Sequence, residues 1–370
     1  MSVLKMRVPL LPLLIVLLLL PSVSRASGCW TTLTEDMRPD YQILSDDEFT
    51  GEITITFLGD CTLGGEESSR GKALGFFRRA EENGLAYPLR NISRLTLDDD
   101  LTVANLECVL TDRQLKKTDK QYNFSGPSAY TEILTSAGVD CVTLANNHSH
   151  DYGEAGYADT KTALDSAGVC WFGTDAPAVW RSDEGLMIGF VGVSSSLSGS
   201  RYQRFLSQVE TLKEYGCTAV IAVMHAGTEY SYHAPDTYQQ QIVSRASENG
   251  VSLVIGHHPH VVQGYDVVNG IPVVYSLGNC SFGGTTHAKD SDALVLQAVL
   301  SFREGTPVQI RLCFFPISIT GDSRYNDYAP CFLSGPDAQR VLEKMRKSTG
   351  KDPGIWNDDT GAVVVIPVSP

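Results

Sequence analysis

From residue 51 onward, short apolar runs alternate with stretches of helical periodicity. Residues 53–58 alternate Thr with Ile and Phe, and residues 101–106, 141–145, 187–193, 218–223 and 253–255 form further strand-length apolar runs. Between them lie helices with readable ends. Ser128 is placed to cap a helix that stops at Gly138, a second runs from near Glu154 to Gly168, and Asp236, after Pro235, opens a third that closes by Gly250. Beyond residue 260 the pattern shifts to strands with tight turns, including a hairpin signal at Asn269-Gly270, then a helix over 336–347 and a last strand over 362–368. This β-α alternation predicts one α/β domain over residues 51–370, with a mostly parallel sheet and a second, more antiparallel one. Residues 27–50 are polar and Asp-rich and read as a linker.

The first 26 residues carry a targeting signal. Lys5 and Arg7 precede an apolar run over 8–20, followed by Pro21 and small polar residues that would permit cleavage after Ala26. Thirteen apolar residues are short against the roughly 20 of a spanning helix. The segment therefore reads as a secretory signal or an N-terminal anchor, and the protein as exported, facing outward from a bacterial membrane or secreted. Cys29 lies close enough to the exit to resemble faintly an acylation site.

At 42 % hydrophobic residues the chain can bury a full core, which excludes wholesale disorder. Its formal charge is −14, and removal of residues 1–26 would take Lys5, Arg7 and Arg25 with it. An acidic chain without a basic stretch disfavours nucleic acid as a partner, and an anionic substrate would need a local cation to hold it. The nine cysteines are widely spaced with no CxxC pair, and several sit in apolar runs, so most are expected as buried free thiols.

Chemistry concentrates just past the strand ends. Asp60, Glu107, the run Asn146-Asn147-His148, His225, and His258 with His260 each follow an apolar run. Ligands of open α/β sheets bind outside the carboxyl ends of strands, so these loops should meet in one crevice. Six of the eight histidines, His148, His150, His225, His257, His258 and His260, lie at or beside these strand ends. Each residue has a plainer alternative: Asp60 as a turn cap, Glu107 as a solvated loop acid, Asn147 as a turn residue, His225 as a hydrogen-bonded core histidine. Together, carboxylate, amide oxygen and imidazole suit Mn²⁺, Zn²⁺ or Fe. Six candidate ligands, Asp60, Glu107, Asn147, His225, His258 and His260, exceed what one catalytic zinc needs, which points to two divalent metals about 3.5–4 Å apart. His150, His233, His257 and His287 read as supporting or surface residues. Asn146, Glu229 and Asn279 are candidates for contacting substrate.

The motifs GD at 59–60, NLE at 105–107, ANNHSHDYG at 145–153, HAGTEY at 225–230, GHHPHV at 256–261 and SLGNCSF at 276–282 occur in the order found in the CapA/PgsA poly-γ-glutamate capsule synthesis family, which the chain resembles. That family is similar in turn to the calcineurin-like metallophosphoesterases. The resemblance implies a layered α/β/β/α sandwich with a dinuclear site, acting on an anionic polymer such as poly-γ-glutamate beside membrane synthesis or export subunits. By the same resemblance, Asp60, Glu107, Asn147, His225, His258 and His260 would be ligands. His148 would be a general acid oriented by Asp151. Two departures stand out: Thr62 occupies a position where phosphoesterases carry a ligating histidine, and Ala226 replaces an aromatic. Three readings follow: a metal-dependent hydrolase or transferase on a cell-envelope polymer, a non-catalytic polymer-binding subunit, or a plain metallophosphoesterase.

Overall fold

A computed structural model describes residues 27–34 and 49–368. Two sheets lie face to face. The first runs Cys331–Phe332, Thr306–Ser318, Asp292–Arg303, Gly51–Thr62, Leu101–Leu106, Cys141–Thr143, Cys170–Phe172, with Asn279–Phe282 added beside Gly51–Thr62 and Ala362–Pro367 beside Thr306–Ser318. The second runs Gly28–Thr32, Ala178–Ser182, Met187–Ser194, Ala219–His225, Leu253–His257, Ile271–Leu277, Val262–Val268.

Alternation along the strands explains the layering. In Ala219–His225, Ala219, Ile221 and Val223 point into the core between the sheets, while Val220, Ala222 and Met224 pack outward under the helices Ser200–Glu214 and Thr237–Glu248. Strands buried on both faces read as continuous apolar runs, as these do. The inner core takes Ile53, Ile55 and Phe57 from one sheet and Phe190 and Ile255 from the other. Each such side chain contributes about 1.5–3 kcal/mol by leaving water. The outer face of the first sheet is covered by Phe76–Asn83, Thr131–Ser136 and Gly153–Ala167. The result is the expected α/β/β/α sandwich, with Gly335–Thr349 packed over one edge through Val341, Leu342 and Met345.

The expected helices at 154–168, 236–250 and 336–347 appear as Gly153–Ala167, Thr237–Glu248 and Gly335–Thr349. Asp236 and Gln239 complete a reciprocal cap on the second. Three expectations need correction. Ser128 does not cap its helix: its hydroxyl and amide both go to Asp112, and a 3₁₀ turn, Ser128–Tyr130, precedes Thr131–Ser136. Both sheets are mixed: in the first, parallel strands run from Gly51–Thr62 out to the edge strand Cys170–Phe172 with antiparallel strands on the other side, and in the second, parallel strands at the centre are flanked by antiparallel ones. The linker expected over 27–50 contains a strand, Gly28–Thr32, paired antiparallel with Ala178–Ser182. Trp30 packs against Phe190 with ring centroids 5.0 Å apart and Leu33 is buried, which offsets the cost of ordering this edge. The expected leader, residues 1–26, lies outside the described residues.

All nine cysteines are free, and six of them are buried. No helix of the described residues is long and apolar enough to cross a membrane.

Candidate metal centre

The parallel strands of both sheets end on the same side, and their carboxyl ends deliver the chemistry. Asp60 lies two residues before the end of Gly51–Thr62, Glu107 follows Leu101–Leu106, Asn147 and His148 follow Cys141–Thr143, His225 ends its strand, and His258 and His260 follow Leu253–His257. Two glycines permit the close approach. A Cβ on Gly59 would stand 2.2 Å from the Gly278 carbonyl oxygen, and one on Gly256 would stand 2.0 Å from that of Tyr275. The first contact sets Asp60 beside Asn279, its partner in the strand register. His258 and His260 take positive φ, +98° and +56°, a strained backbone of the kind that clusters at functional sites.

Around His225 Nε2 lie Asn147 Oδ1 at 2.7 Å, His258 Nδ1 at 3.1 Å and Glu107 Oε1 at 3.4 Å. On the other side of Glu107, His260 Nδ1 lies 3.1 Å from Asp60 Oδ2 and 2.9 Å from Asn279 Oδ1, with its Nε2 3.9 Å from Glu107 Oε1. Ligand atoms of Glu107, His258 and His260 all lie within 4.8 Å of one another. The two carboxylates are fully buried, yet among the described residues neither oxygen of Glu107 has a hydrogen-bond partner. An orphaned buried carboxylate is costly unless a cation completes it. The donor set, two carboxylates, an amide oxygen and three imidazoles, fits a divalent transition metal.

Electrostatics support that fit. Burial pushes the Asp60 carboxyl up, but His257 and His260 more than offset this and hold it well below the usual carboxylate range. Burial and Asp60 likewise push Glu107 up, while His260 and His225 bring it below its ordinary value. Burial and the neighbouring His225 push His258 down to about 4. For His260 burial acts downward, but Glu107 and Asp60 raise it to about 10. The site thus keeps two ionised carboxylates and one unprotonated imidazole side by side.

Beside this cluster, His148 Nδ1 lies 2.6 Å from Asp151 Oδ2. Asp151 is fully buried and accepts two more bonds, from the Phe124 amide at 2.8 Å and Lys120 Nζ at 2.9 Å. A carboxylate so held fixes the imidazole's orientation and leaves its other nitrogen available to a ligand. Phe124 lies against the His148 ring at 4.5 Å, and Phe282 continues the wall toward His260 at 5.6 Å.

Of the residues singled out in sequence, Asp60, Glu107, Asn147, His148, Asp151, His225, His258, His260 and Asn279 come together here. Asn146 adjoins them, but its amide is engaged: it donates to Asn105 Oδ1 and the Leu106 carbonyl and accepts from the His148 amide. Glu229 is exposed at the rim. His233 and His287 are exposed, and His150 stacks on Tyr157 at 4.2 Å. His257 is buried with Nδ1 3.2 Å from Asp60 Oδ1, a supporting place. Thr62 donates to the Glu107 carbonyl at 3.3 Å, so a structural bond occupies the departing position. Two residues escaped the sequence reading. Asn105 donates to Asp60 Oδ1 at 2.7 Å and lies 3.2 Å from His225 Nδ1, joining both sheets; its place in NLE beside Glu107 was the available signal. Lys120, which also bonds the Asn147 carbonyl, supplies a local cation, and the short run of lysines at 116–120 was its only mark.

Residues 54–283, which include every group described above, match the family described as Bacterial capsule synthesis protein PGA_cap. The chain belongs to that capsule synthesis family. Its relatives include the capsule biosynthesis protein CapA of Bacillus anthracis, 26% identical over 94% of this chain and 82% of that protein. They also include the PGA biosynthesis protein CapA of Bacillus subtilis, 25% identical over 68% of each. Among solved structures, the calcineurin-like phosphoesterase YfkN of Bacillus subtilis is similar at 14% identity and a TM-score of 0.35, covering 81% of this chain and 96% of its own. The matched range therefore spans every segment that builds the centre.

Proposed function

We propose that this protein acts in capsule biosynthesis as an exported, metal-dependent hydrolase or transferase on poly-γ-glutamate or a closely similar anionic polymer of the cell envelope. The observation that carries the reading is Glu107, a fully buried carboxylate without a hydrogen-bond partner among the described residues, set among His225, His258 and His260. Membership of the capsule synthesis family and the names of the two CapA relatives support the polymer and the pathway.

In this reading Asp60, Glu107, Asn147, His225, His258 and His260 hold one or two divalent metals, Mn²⁺, Zn²⁺ or Fe. When bound, such an ion would supply Lewis acidity to a carbonyl oxygen and lower the pKa of water at the site. The protein's own residues do the rest. Asp151 and Lys120 fix His148, whose free nitrogen gives its proton to the leaving amine of a γ-linked amide. Asn105 keeps Asp60 and His225 in register across the two sheets. A water as nucleophile gives hydrolysis, and an amine as nucleophile gives transfer, with the same proton movement.

A second reading, a polymer-binding subunit without turnover, is favoured by Thr62, whose hydroxyl is spent on the Glu107 carbonyl where a phosphoesterase would place another ligand. Incubation of metal-loaded protein with poly-γ-glutamate distinguishes the two. Chain shortening or new amino termini, lost in His148→Gln, supports the enzyme. Metal-dependent retention of polymer without any change in chain length supports the subunit. Faster turnover of a chromogenic phosphodiester than of the polymer contradicts both.

A further inference from the structure

A cavity of about 190 Å³ opens beside the centre, between the ends of the two sheets. Its floor is apolar, from Leu144, Val193 and Leu197, and its mouth carries Ser194, Ser195 and two guanidinium groups, Arg201 and Arg204. Asn146 forms the shared wall: it lines the cavity, while the next residue, Asn147, touches His225 in the centre. The cavity is smaller than the roughly 300–1,000 Å³ that takes a whole drug-sized molecule, so it suits one functional group on a short carbon stem.

Two arginines share this mouth. Elsewhere Arg78, Arg113, Arg311, Arg324, Arg340 and Arg346 pair with a carboxylate, and Arg70, Arg90, Arg94 and Arg245 lie over aromatic rings. Arg201 and Arg204 are exposed, and among the described residues neither meets a carboxylate. They stand three residues apart near the start of Ser200–Glu214, on one face with Phe205 and Gln208. Phe205 is buried and Gln208 donates to the Thr174 carbonyl at 3.2 Å, so the face that presents the arginines is anchored. The helix begins at Gly199 without a side-chain cap, so its first amides add positive potential to the same mouth.

We infer that this cavity is a carboxylate subsite, in which Arg201 and Arg204 hold a carboxylate of the anionic chain whose neighbouring segment lies over Glu107 and His258. The carboxylate identity rests on the proposed function, because a guanidinium fork accepts carboxylate and phosphate alike. Poly-γ-glutamate carries such a group on every residue, with the amide bonds between them. Seating one carboxylate would set the register of the chain over the centre.

The test uses the full metal-loaded protein, a fluorescent oligo-γ-glutamate, and the variants Arg201→Gln, Arg204→Gln and Arg303→Gln. Arg303 is exposed at the opposite end of the first sheet, so its variant makes the same charge change away from the cavity. Affinity should fall about tenfold for each cavity arginine removed, with little change for Arg303→Gln and with metal content unaltered. Oligo-γ-glutamate and free glutarate should both protect Arg201 and Arg204 from phenylglyoxal, read by peptide mass spectrometry, and the methyl-esterified oligomer should not. Equal affinity of the wild type and the cavity variants overturns the subsite and leaves the functional reading standing. Failure of the wild type to bind the oligomer overturns the functional reading. In that case protection by glutarate upholds the carboxylate assignment, and its absence, or stronger protection by inorganic phosphate, overturns it.

Discussion

Glu107→Gln isolates the group on which the account depends. Gln keeps the shape and one oxygen but removes the charge from the place where His225, His258 and His260 converge. Changing the outer partners of metal ligands already weakens binding about 10–100-fold, so loss of a charged ligand is set at about a hundredfold. A ligand at 1,000 times its dissociation constant stabilises the folded state by about 4.1 kcal/mol. At the same free metal a hundredfold weaker variant is left with about 1.4 kcal/mol. With roughly 2 °C per kcal/mol for a chain of this size, metal should raise the melting temperature of the wild type by about 8 °C and that of the variant by about 3 °C. Each protein is melted with chelator and with Mn²⁺ or Zn²⁺, so each serves as its own reference and the substitution's effect on the metal-free fold cancels. An equal metal-induced rise in both proteins would refute the assignment of Glu107.

Other positions give separable outcomes. His148→Gln should leave metal content and the metal-induced melting shift unchanged while lowering turnover on the polymer about 10²–10⁴-fold, measured by release of amino termini. Asn105→Leu removes the link between Asp60 and His225 and should weaken metal binding about 10–100-fold, read by competition with a chelating dye. Asp292, nearly buried and held by Arg340 and Lys344, has its carboxyl below the ordinary value: burial acts upward and the two cations outweigh it. Its contribution is therefore present above the unfolded value near 4 and lost as pH falls through the lower folded one. Asp292→Asn should cost about 2 kcal/mol in urea unfolding at pH 7, and that difference should shrink below pH 4.

The layered fold and the strand-end crescent were legible because parallel strands buried on both faces leave long apolar runs, and the polar residues that interrupt them fall at their carboxyl ends. Asp60, Glu107, His225 and His258 were marked that way. The strand Gly28–Thr32 was hidden by the acidic run after it, since edge strands are short and owe their order to contacts such as Trp30 on Phe190. Ser128 misled because a cap is a local signal, whereas Asp112 reaches the same backbone from another segment. Asn105 and Lys120 were missed for a related reason. Each acts through partners distant in sequence, and an interior Asn or a surface Lys carries no mark of its own. The helix Ser200–Glu214 follows a Ser-rich stretch and buries only one stripe, so its two arginines gave no sign of facing a cavity.

The most direct test is the metal content of the purified protein, offered Mn²⁺ and Zn²⁺ without chelator and measured by elemental analysis beside Glu107→Gln and His258→Ala. The account predicts at least one equivalent of a divalent transition metal in the wild type and substantially less in both variants. A wild type that holds no metal, or variants that keep the full amount, would contradict it.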